Sequence, residues 1–266
     1  MNKNFSPLLL SFSLLLLLAS CKKDDQEFDK NTLAPLSIEF DNIAGSMNLQ
    51  LNSGEYTTAS GEKFSVSTLQ YFISNIRLEN TDGSFYTVPQ DSSYFLINEA
   101  DATTRSANIR VPEGNYRSLQ FVLGVDSLRS TMDISKRTGV LDPGAGSGMY
   151  WGWNSGYIFF KMEGTSPAIT SDPQQKFRYH IGGFGGYSST TINNIKTISI
   201  NLEAGGVPMV RTGRNANIHL MVDVTKLFSG VSNISLAANP TVMFNAFSTG
   251  VAANFSGMFR HDHTEN

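Results

Sequence analysis

The chain has 266 residues, with 20 lysines and arginines against 23 aspartates and glutamates, a formal net charge of −3 and one cysteine. No basic stripe is present to meet a phosphate backbone, so nucleic acid is excluded as a partner class. A lone cysteine also excludes an intrachain disulfide, and the plentiful glycine, serine, threonine, asparagine and aromatic residues favour strands and turns over helices.

The first residues read as a targeting segment. Lys3 supplies a positive start, and Pro7 to Leu18 is almost wholly leucine, serine and phenylalanine. A run of about 12 apolar residues is too short to span a bilayer but suits a signal-peptide core. Leu18-Ala19-Ser20-Cys21 follows and resembles the lipobox of bacterial lipoproteins, in which the cysteine thiol carries a diacylglycerol and cleavage falls just before it. The resemblance implies a membrane anchor at Cys21, stable because each buried methylene contributes about 0.8 kcal/mol. The charged stretch Lys22 to Glu27 reads as a solvated tether. It also resembles the signal that sends lipoproteins of Bacteroidetes-type bacteria to the outer face of the outer membrane. The expected division is a signal peptide over 1–20, a lipidated cysteine and flexible tether over 21–34, and one domain over 35–266.

Strand patterns then follow in order. Leu36, Ile38 and Phe40 alternate with polar residues, as do those of Met47 to Leu51. Phe64 to Val66 and Leu69 to Leu78 are rich in aromatic and β-branched residues, and Asp82-Gly83 marks a tight hairpin into Phe85 to Val88. Ser93 to Ile97 is another strand, and Ala107 to Val111, Pro112 to Tyr116 and Ser118 to Val125 read as strand, turn, strand. Asp126 to Gly148 has no period and is expected to be a long irregular loop. Strands resume at Tyr157 to Glu163, Lys176 to Ile181, Asn194 to Leu202 and Ala216 to Val224, with Asp223 or Thr225 capping a short helical turn. Val251, Phe255, Met258 and Phe259 are spaced for one short helix. Many short strands without a composition break predict an all-β fold: a single-domain antiparallel β-sandwich with long irregular loops and one or two short helices.

Catalytic patterns are missing. There is no Gly-x-Ser-x-Gly elbow and no His-Glu-x-x-His pair, and Cys21 is taken by lipid, so a non-enzymatic role is expected. The four histidines are His180, His219, His261 and His263. His261 and His263 are two residues apart, so an extended segment puts both imidazoles on one face, where they can share a metal. His180 precedes Gly182-Gly183 at a strand end, and His219 sits in an alternating strand pattern. Trp151 and Trp153 fall with Tyr150 and Tyr157 in one short aromatic cluster, which suits either a core or a ligand-lined face.

The run from Leu141-Asp142-Pro143 through Gly148-Met149-Tyr150-Trp151-Gly152-Trp153-Asn154-Ser155-Gly156-Tyr157 to Lys161-Met162-Glu163-Gly164 resembles the central signature of the MbnP-like copper-binding family. Tyr71 to Leu78, Pro112 to Tyr116, Gly124 to Arg129, Tyr179-His180-Ile181-Gly182-Gly183 and the ending Ala253 to Phe259 are similar to the same family in the same order. The resemblance implies an envelope protein that binds copper through histidines and through a tryptophan oxidised to kynurenine by a di-haem enzyme of the MauG and cytochrome c peroxidase group. His180 matches the family's His-x-Gly histidine, Trp151 or Trp153 is the tryptophan, and Asn42, His261 and His263 are the further ligand candidates. Two positions depart from the pattern: Phe40-Asp41-Asn42 stands where relatives read Phe-acid-His, and Tyr94-Phe95-Leu96-Ile97 where they read Tyr-His-Leu-Ile. The residues themselves also allow a metal-free β-sandwich module that presents its aromatic segment to a carbohydrate, peptide or redox partner.

Overall fold

The computed structural model describes residues 28–153 and 156–266. The leader and Cys21 lie outside them. In chain order the strands are β1 (Leu33–Ala44), β2 (Met47–Asn48), β3 (Tyr56–Thr57), β4 (Lys63–Asn80), β5 (Phe85–Thr87), β6 (Tyr94–Asn98), β7 (Ser106–Pro112) and β8 (Gly114–Leu123). Then come β9 (Tyr150–Trp151), β10 (Gly156–Thr165), β11 (Lys176–Gly182), β12 (Lys196–Asn201), β13 (Met209–Val210), β14 (Ala216–Asp223), β15 (Thr241–Val242) and β16 (Phe259–Glu265). Two short helices, α1 (Ser127–Thr131) and α2 (Ser248–Ala253), complete the all-β architecture. Among the described residues no helix is long and apolar enough to cross a membrane.

Two sheets face each other. The smaller has the order β16-β14-β1-β2 with β7 also on β1, and the larger runs β12-β8-β4-β10-β11-β15 with β3, β5, β6, β9 and β13 at its margins. The sandwich is not purely antiparallel, because β1 pairs in parallel with β14, and β11 with β15. The alternation that marks β1 in the sequence turns Leu36, Ile38 and Phe40 onto the larger sheet. There the Phe40 ring meets Tyr71, Phe121 and Phe259 edge-on at centroid distances of 6.2, 5.8 and 6.5 Å, joining the first strand to the last.

Several expectations shift. The two patterns at Phe64 and Leu69 form one strand, β4, bent at Asn75, whose φ of 51° interrupts the ladder with β8. The turn expected over Pro112 to Tyr116 is tighter, because β7 ends at Pro112 and β8 starts at Gly114; it connects the smaller sheet to the larger, and the Tyr116 hydroxyl donates to the Pro112 carbonyl at 2.6 Å across the changeover. The expected helix over Val251 to Phe259 is divided into α2, a 3-10 turn at Phe255–Met258 and the start of β16. The domain also takes in residues before 35: β1 starts at Leu33, the Asp29 backbone N–H donates to Glu113, and the Arg211 guanidinium lies over the Phe28 ring.

The irregular loop is pinned at its start. Asp126 accepts hydrogen bonds from Tyr94, Asn75, Gln90 and the Arg129 backbone, and these outweigh the burial that would otherwise raise its pKa. The loop therefore leaves the larger sheet at a fixed point and returns through β9 along β10. Its apolar residues Leu141, Met149 and Trp151 join Phe72, Phe159 and Phe184 in a second cluster, separate from the inter-sheet core. Replacing Phe40 by alanine is expected to lower the free energy of unfolding by about 3–5 kcal/mol. Denaturant titration would read this as a fall in midpoint without a change in slope.

Candidate metal centre

Register decides which side chains can meet. Lys161 of β10 pairs with His180 of β11 on one side and Gln70 of β4 on the other, while the next position, Phe160, pairs with Ile181 and Tyr71. Phe160, Ile181 and Tyr71 belong to the inter-sheet core. His180 therefore projects from the outer face of the larger sheet. Its Nε2 lies 2.6 Å from Oε1 of Glu163, one step along β10 on the same face. Burial pulls the His180 pKa down, only partly opposed by Glu163, and the nearby Lys161 and Arg178 charges act in the same direction as burial. The imidazole is thereby biased to its neutral, metal-binding form.

Trp151 approaches the same face. A Cβ on Gly182 would lie 2.7 Å from the Trp151 ring, so only glycine lets the indole rest there. His180 and Gly182 are alternate residues of β11, which separates them by about 7 Å along the strand and leaves them on one face. Trp153 packs against Trp151 at a centroid distance of 5.4 Å, yet is 67% exposed where Trp151 is 5% exposed. Phe244 covers another edge of Trp151 and also lines a groove of about 440 Å³ with Gly183, Phe184 and Tyr187.

Asn42 is placed elsewhere. It is buried on the core side of β1, donating to Glu99 and accepting from the Tyr71 hydroxyl, both at 2.9 Å. Arg105 closes the cluster through Glu99 at 3.1 Å. Burial raises the Glu99 and Tyr71 pKa values in spite of these contacts. Both ends of the amide are occupied, and Tyr71 faces away from His180, so Asn42 is not part of a ligand set with that histidine. Phe95, at the other departing position, packs against the inter-sheet core.

His261 and His263 do not share a face. The β14–β16 register pairs His219 with His263 and Leu220 with His261, which leaves Asp262 as an extra residue. That bulge turns His263 outward with His219, whereas His261 lies against Gly205 and its Nε2 meets Thr264 Oγ1 at 2.9 Å. The sequence candidates thus fall into three places: His180 with Trp151 and Trp153, Asn42 in the core, and the terminal histidines on the smaller sheet. Glu163 and Asp262 were not singled out in the sequence. The hairpin register between β10 and β11 is the signal that finds Glu163.

The family model for MbnP matches residues 33–244. Among solved structures, MbnP from Methylosinus trichosporium has the same fold, with a TM-score of 0.54, 15% identity, and coverage of 81% of this chain and 82% of that one. No curated protein matches.

The electrostatics give a signed prediction. The His180 pKa is depressed, so the unfolded chain binds a proton that the folded chain releases, and this contribution to stability is lost as pH falls through the ordinary histidine range. Exposed His263, hydrogen-bonded to Asp262, is shifted the other way. In an NMR titration the His180 midpoint should lie below 6.5 and that of His263 above it. Glu163→Gln should move the His180 midpoint lower still. The reverse order would contradict the assignment.

Proposed function

The chain belongs to the MbnP family, and from that premise we propose that it is a lipid-anchored protein of the cell envelope that binds copper at His180, beside the Trp151–Trp153 pair. One observation carries this reading: Trp151 rests on Gly182, on the face from which His180 projects. The donors present fit copper in kind. His180 offers a neutral imidazole and Glu163 a carboxylate, and oxidation of Trp151 to kynurenine would add an aromatic amine. Bound copper would supply a redox-active cation that prefers such nitrogen ligands. Asn42 and Phe95 do not contribute, because one is buried and hydrogen-bonded at both ends of its amide and the other has no lone pair.

The two tryptophans have different roles in this reading. Trp153 is exposed and meets the oxidising partner, a di-haem enzyme of the MauG and cytochrome c peroxidase group. Trp151, buried and resting on Gly182, is the residue remodelled. In this reading dioxygen, activated by that enzyme, adds both of its oxygen atoms across the cleaved indole C2–C3 bond, and water then releases C2 as formate. In this reading the lipobox-like Leu18 to Cys21 carries the anchor, and the charged stretch Lys22 to Glu27 supports an outer-membrane location, at the cell surface or otherwise facing the periplasm. The chain acts as a binder, not a catalyst.

A second reading is a metal-free module, favoured by the groove of about 440 Å³ beside Phe244, which suits a small carbohydrate, a peptide or the surface of a redox partner. Copper titration of the purified protein separates the two. The copper reading expects a tight copper site in the wild type, distinct from any binding at the smaller sheet, whose affinity falls at least tenfold in His180→Ala, since even changes to groups around the ligands cost roughly 10–100-fold. Protein from its native host should carry a mass increase of about 4 Da, one carbon exchanged for one oxygen, that vanishes in Trp151→Phe and survives in Trp153→Phe. Unmodified mass together with no His180-dependent copper site would leave the module as the better account.

A further inference from the structure

We propose that His219, Asp262 and His263 form a second site, for a divalent first-row metal ion of the zinc and copper(II) kind, which staples the C-terminal strand β16 to β14. The site lies on the smaller sheet, so it stands apart from the copper reading at His180 and does not depend on it. Two of its three donors also lie beyond the residues matched by the family model, which end at 244.

The bulge builds the site. An unbroken ladder would alternate Asp262 and His263 across the sheet, but the extra residue turns both toward His219. Asp262 Oδ2 then sits 2.9 Å from His263 Nδ1 and 3.5 Å from His219 Nδ1, and the two imidazole rings are 4.8 Å apart between centroids. One ligand atom from each residue lies within 4.8 Å of the others. Ligands held at about 2.1 Å from a common ion are separated by at most about 4.2 Å, so side-chain rotations of less than an ångström close the set.

A second observation points the same way. His219 Nδ1 is shielded from solvent and makes no hydrogen bond, although a carboxylate oxygen lies 3.5 Å away and out of line. Such a nitrogen is unusual in a folded protein, and a cation between it and Asp262 would satisfy both groups. Negative charge around the site favours a cation as well: Glu39 and Asp41 of the neighbouring β1 each stand 3.9 Å from His219 Nε2. Arg260 competes for Asp262 at 3.3 Å, from an exposed position. Two imidazoles and a carboxylate suit borderline metals, whereas calcium and magnesium prefer oxygen alone.

The test is calorimetric titration of the purified full chain with zinc chloride, together with hydrogen exchange of the 259–265 segment. Wild type and His180→Ala should bind zinc alike at this site, and zinc should slow exchange in β16. His219→Ala and His263→Ala should each weaken binding by roughly 100-fold or more. Asp262→Asn should weaken it less. His263 is half exposed, so its variant should keep wild-type exchange in β1 and β4, which serves as the folding control. Zinc binding that is absent from the wild type, indifferent to both histidine variants, or lost only in His180→Ala would overturn the proposal.

Discussion

Alternate residues of β1 are committed to one surface, the inner face of the larger sheet. Leu36, Ile38 and Phe40 enter it as hydrocarbon, and Asn42, the next residue in the same phase, must enter it as an amide. A buried amide needs partners for both its donor and its acceptor, and Glu99 and Tyr71 supply them. Glu99 in turn draws in Arg105, so one polar position on a core strand recruits residues from β4 and from the segment after β6. The position where the resemblance expects a histidine is here part of a structural cluster. That explains why the asparagine can be retained without serving as a ligand.

The outer face of the larger sheet is governed by different physics. Among the described residues no second sheet covers it, and its burial comes from the loop that Asp126 anchors and from the glycine-rich return around Phe184. The cover is local. It buries Trp151 almost fully and leaves Trp153 exposed, while on the same face His180 is itself buried enough to disfavour its charged form, with Glu163 within hydrogen-bonding distance. An aromatic pair beside a neutral imidazole is thus a product of partial enclosure. The glycine at 182 keeps the indole in place by leaving room for it.

The edge of the smaller sheet solves a third problem. β16 is the last strand added, short and rich in charge, with one neighbour, β14. Charged residues on an edge strand discourage pairing with other chains. The bulge at Asp262 breaks the ladder on that edge and gathers carboxylate and imidazole groups over His219.

Local periodicity and turn chemistry in the sequence determined the strands of β1, β4, β8 and β14, the hairpin at Asp82-Gly83, the cap at Asp223 and the all-β class. These depend on neighbours a few residues apart, and a single sequence records such neighbours directly. The motifs around Trp151 and His180 likewise carried the family. Tertiary structure alone decided that Asn42 and His180 lie on opposite faces of the larger sheet, which sheet each strand beside Glu113 joins, and that Asp262 is bulged so that His261 and His263 lie on different faces. Each of these turns on which distant strand a segment pairs with and in what register. A one-residue slip in register moves every side chain to the other face, and no local pattern in the sequence fixes that choice.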